Sequence, residues 1–303
     1  MLDISLLGTG GMMPLPNRFL TSLLLRLNGS MILVDCGEGT QITAKLLGWG
    51  FKNIDVMCFT HYHADHISGL PGMLLSIGNS GRTEPITIIG PVGLKTVYAG
   101  LSVIAPELPF EVNCIELDEN GSGTFSFGDL IISAIKLNHK IPCSAYSFTV
   151  KRTGKFDITK AEKLPIPRNF WSRLQKGETI EYEGNTYTPD MVLGETRKGL
   201  KVSYCTDTRP VDTIPDFIRD SDLFICEGMY GETEMLEKLK KKKHMIFQEA
   251  AELAKQGNVK EMWLTHFSPA LTDPKLFEKN AKAIFENSKV GCDRMIKILS
   301  FEE

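Results

Sequence analysis

The chain has 303 residues, with 34 Lys+Arg against 37 Asp+Glu and a formal net charge of −3. A composition of 42% hydrophobic and 23% charged residues excludes collagen-like repeats, disorder and supercharged tails. No apolar run reaches the roughly 20 residues of a membrane helix, so no membrane partner is expected. The opening MLDISLLGTGG lacks the basic n-region of a signal peptide, so none is expected. Seven dispersed cysteines without a CxxC pair read as reduced thiols in a cytoplasmic protein. There are only six histidines, and where they fall decides the functional reading.

In chain order the sequence predicts strands at Leu2–Leu7, Ser22–Leu27 and Met31–Val34, a helix at Thr40–Leu47 and a strand at Val56–Thr60. A helix over His66–Ile77, a strand at Ile86–Ile89, a helix over Val92–Ile104 and strands at Leu130–Leu137 and Ser144–Val150 follow. Beyond an interruption come strands at Lys201–Thr206 and Leu223–Glu227, a helix over His244–Gln256, a strand at Met262–Thr265 and a helix over Pro274–Ile284. Strands that lead directly into helices imply an α/β protein whose sheets are covered by helices on their outer faces.

The interruption, residues 151–199, shows no clear core strand or helix in the sequence. It is too long for an ordinary connection inside a compact domain, so a protruding functional insertion is expected. Between Lys151 and Lys176 stand eight basic residues and two acids, a local surplus of six positive charges in a chain that is negative overall. Phe156, Phe170, Trp171, Tyr182 and Tyr187 are interleaved with or adjacent to them. A solvated hairpin would account for the lysines alone. The aromatic interleaving favours a flexible arm that grips a polyanion, with Lys163, Arg168, Arg173 and Lys176 as its phosphate contacts.

The strongest local signal is FTHYHADH, residues 59–66. The two-residue spacing of His61, His63 and Asp65 lets an extended backbone point all three the same way. His66 follows as the chain turns into a helix. Three imidazoles and a carboxylate within six residues suit a borderline metal such as Zn²⁺. Further ligand types follow apolar strands elsewhere: His139 after LIISAIKLN, Asp207 after KVSYCT and His266 after MWLT. Polar residues just beyond strand ends are the usual place for a site in layered α/β folds.

FTHYHADH followed by GLPG resembles the HxHxDH motif of the metallo-β-lactamase superfamily, and within it the ribonuclease Z (tRNA 3′-processing endonuclease) family. The similarity spans the chain: LLGTGG, VDCGEGTQ, HADHISGLPGML, IIGPVGL, LNHKIPCSAY, CTDTRP and LTHFSP follow in the family's order. The resemblance implies a metallo-β-lactamase fold over residues 1–303, a four-layer αββα sandwich with the arm inserted at about 151–199. It implies two zinc ions per chain, replaceable by manganese or iron. His61, His63 and His139 would hold one, Asp65, His66 and His266 the other, with Asp207 bridging. His244 and Glu227 would form a proton-donating pair, with Asp65 also counted among the catalytic residues. The implied reaction is removal of the 3′ trailer from precursor tRNA by a homodimer.

Three stretches depart from the family's pattern. Its Pro-x-Lys-x-Arg-Asn loop appears as PLPNRF, keeping Pro14 and Arg18, the latter a substrate-binding candidate. Of the His-Glu-Ala-Thr loop only Glu227 remains, and of the His-Ser-Thr loop only His244. These departures keep open a second reading, hydrolysis of small phosphodiesters. The EKLKKKK run before His244 is open in the same way, either a solvated helix end or a phosphate-steering patch.

Overall fold

In the computed structural model, which describes residues 1–302, the chain divides into two compact units, residues 1–149 with 200 onward and residues 150–199. In chain order the elements are β1 (Leu2–Gly8), β2 (Ser22–Leu27), β3 (Ser30–Val34), α1 (Thr40–Leu47), β4 (Ile54–Cys58), α2 (Ala64–Ile67) and α3 (Leu70–Asn79). Then come β5 (Ile86–Gly90), α4 (Leu94–Ser102), β6 (Val112–Glu116), β7 (Gly123–Phe127), β8 (Leu130–Lys136) and β9 (Ser144–Arg152). The second unit contains α5 (Ile158–Ala161), α6 (Trp171–Gln175), β10 (Ile180–Tyr182) and β11 (Asn185–Tyr187). The remainder is β12 (Arg197–Cys205), α7 (Thr213–Phe217), β13 (Leu223–Glu227), α8 (Leu236–Lys242), α9 (Phe247–Gln256), β14 (Met262–Thr265), α10 (Glu278–Lys282), β15 (Ser288–Val290) and β16 (Met295–Leu299).

The first unit has two seven-stranded sheets, ordered β16-β1-β2-β3-β4-β5-β6 and β15-β14-β13-β12-β9-β8-β7. In each, a run of parallel strands (β3 to β6, β12 to β15) lies beside antiparallel ones. Parallel strands need both faces covered, and their continuous apolar runs supply the covering. On the first sheet, Ala44, Leu70, Met73, Leu74, Ile77 and Leu94 of α1, α3 and α4 pack with Leu33, Met57 and Ile88. On the second, Phe247, Ala250, Ala251 and Ala254 of α9 bury one stripe at helical spacing against Phe224, Cys226 and Leu264. The inner faces meet: Tyr146 of β9 donates its hydroxyl to the Phe59 carbonyl, and Tyr204 of β12 donates to Asp35. The result is the expected four-layer αββα sandwich.

Four differences from the sequence reading have physical causes. The helix expected over His66–Ile77 is two helices, α2 and α3, because the Gly69 amide donates to the Cys36 carbonyl and Pro71 has no N–H to offer the preceding turn; Gly69 is packed so closely that a Cβ there would fall 2.1 Å from the Gly37 carbonyl oxygen. The helix expected from His244 starts at Phe247, with the Glu249 carboxylate accepting from the Ile246 amide at its start. Strands β6, β7, β15 and β16 were not expected; β16 alternates exposed and partly buried residues and pairs with β1 from the far end of the chain. Residues 150–199 do hold regular elements and a small core of their own, built on Ala161, Ile166, Leu174, Ile180, Tyr187, Val192 and Leu193.

Candidate active site

Every predicted metal ligand lies on the loop or short helix that follows a strand. His61, His63, Asp65 and His66 follow β4, His139 follows β8, Asp207 follows β12 and His266 follows β14. The bends at these ends are tight: Asp35, Asp207 and His266 all adopt left-handed backbone conformations, with φ of 58°, 55° and 59°. Such values are costly for side chains other than glycine and concentrate at functional sites.

The seven side chains converge. His61 Nε2 and His63 Nδ1 are 3.0 Å apart, His139 Nε2 lies 3.3 Å from the same His63 Nδ1, and Asp207 Oδ2 lies 3.7 Å from His61 Nε2. In the neighbouring cluster His66 Nε2 and His266 Nε2 are 3.2 Å apart, and each is 3.6 Å from Asp65 Oδ2. Asp207 joins them, its Oδ2 facing the first cluster and its Oδ1 lying 3.3 Å from His66 Nε2 and 3.1 Å from His266 Nε2. Donor atoms of His61, His63, His139 and Asp207, and of Asp65, His66 and His266, fall within the span a single ion would bridge.

The rings are aimed from behind. Asp35, buried at the end of β3, accepts from the Thr60 amide and from His66 Nδ1 at 2.8 Å. The Thr60 hydroxyl donates to the same carboxylate and stands 3.0 Å from His61 Nδ1. One carboxylate therefore orients a histidine of each cluster, directly for His66 and through Thr60 for His61. The Lys243 carbonyl serves His139 Nδ1, and the Met12 amide donates to Asp65 Oδ2. His266 packs on Gly11, where a Cβ would meet the imidazole at 2.7 Å.

Electrostatics follow the geometry. Burial keeps His61 well below the usual imidazole range, and His66 and His139 add to that effect while Asp207 opposes it. Burial likewise lowers His63 and takes His139 down to about 4. Asp207 and Asp65 are lowered despite burial, by the histidines around them. His66 is raised against burial by Asp207 and Asp35. Imidazole nitrogens converging with carboxylate oxygens are the donor set of a borderline divalent ion, so the residues fit a metal centre.

Glu227, the last residue of β13, is fully buried and accepts from the Thr208 amide through Oε1. Its Oε2 lies 3.0 Å from His244 Nδ1, and burial notwithstanding, this carboxylate raises His244 to about 9. His244 Nδ1 is also 3.8 Å from Asp207 Oδ2, at the edge of the clusters. Arg209 holds the segment by donating to the His244 carbonyl and pairing with Glu249. His63, Asp65, His139, Asp207, His244 and His266 line one cavity of about 420 Å³.

A ribonuclease Z of Clostridium acetobutylicum is 57% identical over 307 residues, covering all of this chain and 99% of the relative. The chain belongs to the ribonuclease Z family. The short form of human tRNase Z matches 99% of this chain and 100% of its own, with a TM-score of 0.71 and 25% identity. The metallo-β-lactamase fold protein YhfI of Bacillus subtilis matches 98% of both chains with a TM-score of 0.70 at 18% identity, a likeness of fold alone. A family model described as "Anti-Pycsar protein Apyc1" matches residues 2–98, the stretch that holds the first sheet's early strands and FTHYHADH. For this ribonuclease Z family member the fold is the metallo-β-lactamase fold.

The remaining sequence candidates make contacts of their own. Arg18 donates to the carbonyls of Ser268, Leu271 and Thr272, tying down the loop after His266. Arg168 pairs with Glu162 and Arg173 with Glu178, while Lys163 and Lys176 are exposed on the second unit. The arm aromatics, expected as a surface for polyanions, pack on each other: Phe156 on Trp171 and Phe170 on Tyr182. Sequence reading gave no role to Thr60, Tyr204, Arg209 or Glu249. Their functions depend on contacts that no local motif encodes.

Proposed function

We propose that this chain is a metal-dependent endoribonuclease that removes the 3′ trailer of precursor tRNA. The cut leaves a 3′-hydroxyl on the tRNA and a 5′-phosphate on the trailer. The observation that carries this reading is one cavity holding two donor clusters joined by Asp207, with the His244–Glu227 pair at their edge, in a chain related to ribonuclease Z along its whole length.

His61, His63 and His139 would hold one divalent ion and Asp65, His66 and His266 a second, with Asp207 between them; we take both ions to be zinc. When bound, such ions make water a nucleophile at neutral pH and neutralise charge growing on a phosphate. Asp35 and Thr60 keep the ligand rings in register. His244 is raised by Glu227 so that it stays charged near neutral pH, and it donates its proton to the leaving 3′-oxygen. Glu227 is held by the Thr208 amide and fixes the ring's orientation. The basic residues of 150–199 contact the tRNA body, Arg18 braces the His266 loop, and two chains work as a homodimer. Among the described residues no helix is long and apolar enough to cross a membrane, and the seven free cysteines suit the cytoplasm.

The test is purified protein with Zn²⁺, given precursor tRNA and, separately, a chromogenic phosphodiester. Trailer release is expected. Turnover of the small ester without cleavage of the tRNA would overturn the reading in favour of a small-phosphodiester hydrolase.

A further inference from the structure

The EKLKKKK run is resolved residue by residue. Leu239 is buried and anchors α8 in the core. Lys240 pairs with Glu237, and Lys243, in the left-handed conformation that ends the helix, donates to Asn138 Oδ1 at 2.7 Å. Lys238 and Lys242 differ. One helical turn apart, they share a face, and both line the cavity that holds the metal-ligand clusters. Lys238 is held there, its ammonium 5.4 Å from the centroid of Tyr230. Lys140, next to His139, lines the same cavity from another loop. Among the described residues none of the three has a carboxylate within salt-bridge distance, although the chain has more acids than bases. Met12 and Tyr230 give the cavity an apolar flank beside these cations.

Uncompensated cations at the mouth of a cleft raise the local concentration of anions, and an apolar or aromatic flank suits a base. We propose that Lys238, Lys242 and Lys140 form a subsite for the phosphates flanking the scissile one in a single-stranded nucleic acid, with a base against Met12 and Tyr230. The proposal rests on the endonuclease reading above and extends it. The site selects a strand of several nucleotides, and an isolated phosphodiester leaves the lysines unused.

The experiment measures binding of a fluorescein-labelled single-stranded deoxyoligonucleotide of about six nucleotides, by anisotropy, to the full-length metal-loaded protein. Deoxy-strands keep the phosphates and bases, so the readout does not depend on tRNA cleavage. Salt is varied from roughly 50 to 200 mM, because each phosphate contact in a single strand adds about 0.7 to the slope of log K against log salt. K238A/K242A is expected to weaken binding on the order of tenfold and to flatten the slope by about 1.4. K240A/K241A, with the same change in net charge, is expected to stay within about twofold of the parent. Equal weakening in both pairs, an unchanged slope in the first, or no binding by the parent protein would overturn the proposal. Precursor-tRNA cleavage by the parent protein, measured alongside, reports separately on the endonuclease reading.

Discussion

Asp35 illustrates how much a single buried carboxylate can organise. It is held at φ 58°, takes the Thr60 amide and hydroxyl, and receives His66 directly. Replacing Asp35 by Asn would put an amide donor opposite a histidine N–H, loosening one ring in each cluster. We expect D35N to lower metal affinity about 10–100-fold, read by competition with a chelating dye. Unchanged affinity would show that the rings are fixed by packing alone. His244 makes a different contribution, because it belongs with Glu227. H244A is expected to cut turnover by about 10²–10⁴-fold while the metal content per chain stays that of the parent; loss of metal would contradict the proton-donor role. In chelated protein, Glu227 holds His244 charged up to about pH 9. A raised pKa means that the stability from this pair is fully present below the ordinary imidazole range and is lost as pH rises through about 9. NMR titration of chelated E227Q should find the His244 transition at lower pH, and an unmoved transition would assign the shift elsewhere.

At the scale of elements, the site depends on where strands stop. β3, β4, β8, β12, β13 and β14 each deliver a functional side chain within a few residues of their ends. Those ends were legible because apolar runs give way abruptly to His, Asp or Glu. The break between α2 and α3 was not, since the apolar periodicity of ISGLPGML continues through it. What interrupts it is the Gly69 amide turning to the Cys36 carbonyl, a residue on a separate segment, together with the missing N–H of Pro71, in a place where Gly69 also packs against Gly37. We expect G69A to lower the urea midpoint, by about 1–3 kcal/mol of stability, because backbone would have to move where α2 presents His66. A variant as stable as the parent would show that the α2–α3 turn is free to shift. The start of α9 was misplaced for a similar reason: Glu249 is engaged by Arg209 and the Ile246 amide, so His244 is left in the preceding loop.

For the whole molecule, the net charge of −3 averages over regions that differ. Residues 151–176 carry a surplus of six positive charges, and their unit has its own small core. Deleting residues 155–190 is expected to raise KM for precursor tRNA strongly while sparing a chromogenic ester. Equal loss on both substrates would make the segment a structural part of the hydrolase. The first sheet closes with β16 on β1, and the second ends on β15 and β7. These edge pairings were missed because short, half-exposed strands such as Ile296 and Ile298 on β16 bury too little apolar surface to show a core pattern.

The sequence by itself determined the layered α/β architecture and the seven candidate ligands, because residue type and periodicity are local properties written along the chain, while the His244–Glu227 pair was implied only by the resemblance to the ribonuclease Z family. Only the tertiary structure decided that Asp207 faces both clusters, which histidines Asp35 steers, that the arm's aromatics pack on each other, and that two lysines of one run look into the cavity. These are relations between side chains brought together from different strand ends and helix faces. Direction and distance across elements are set when the two sheets and their helices pack, and no spacing within a single segment encodes them.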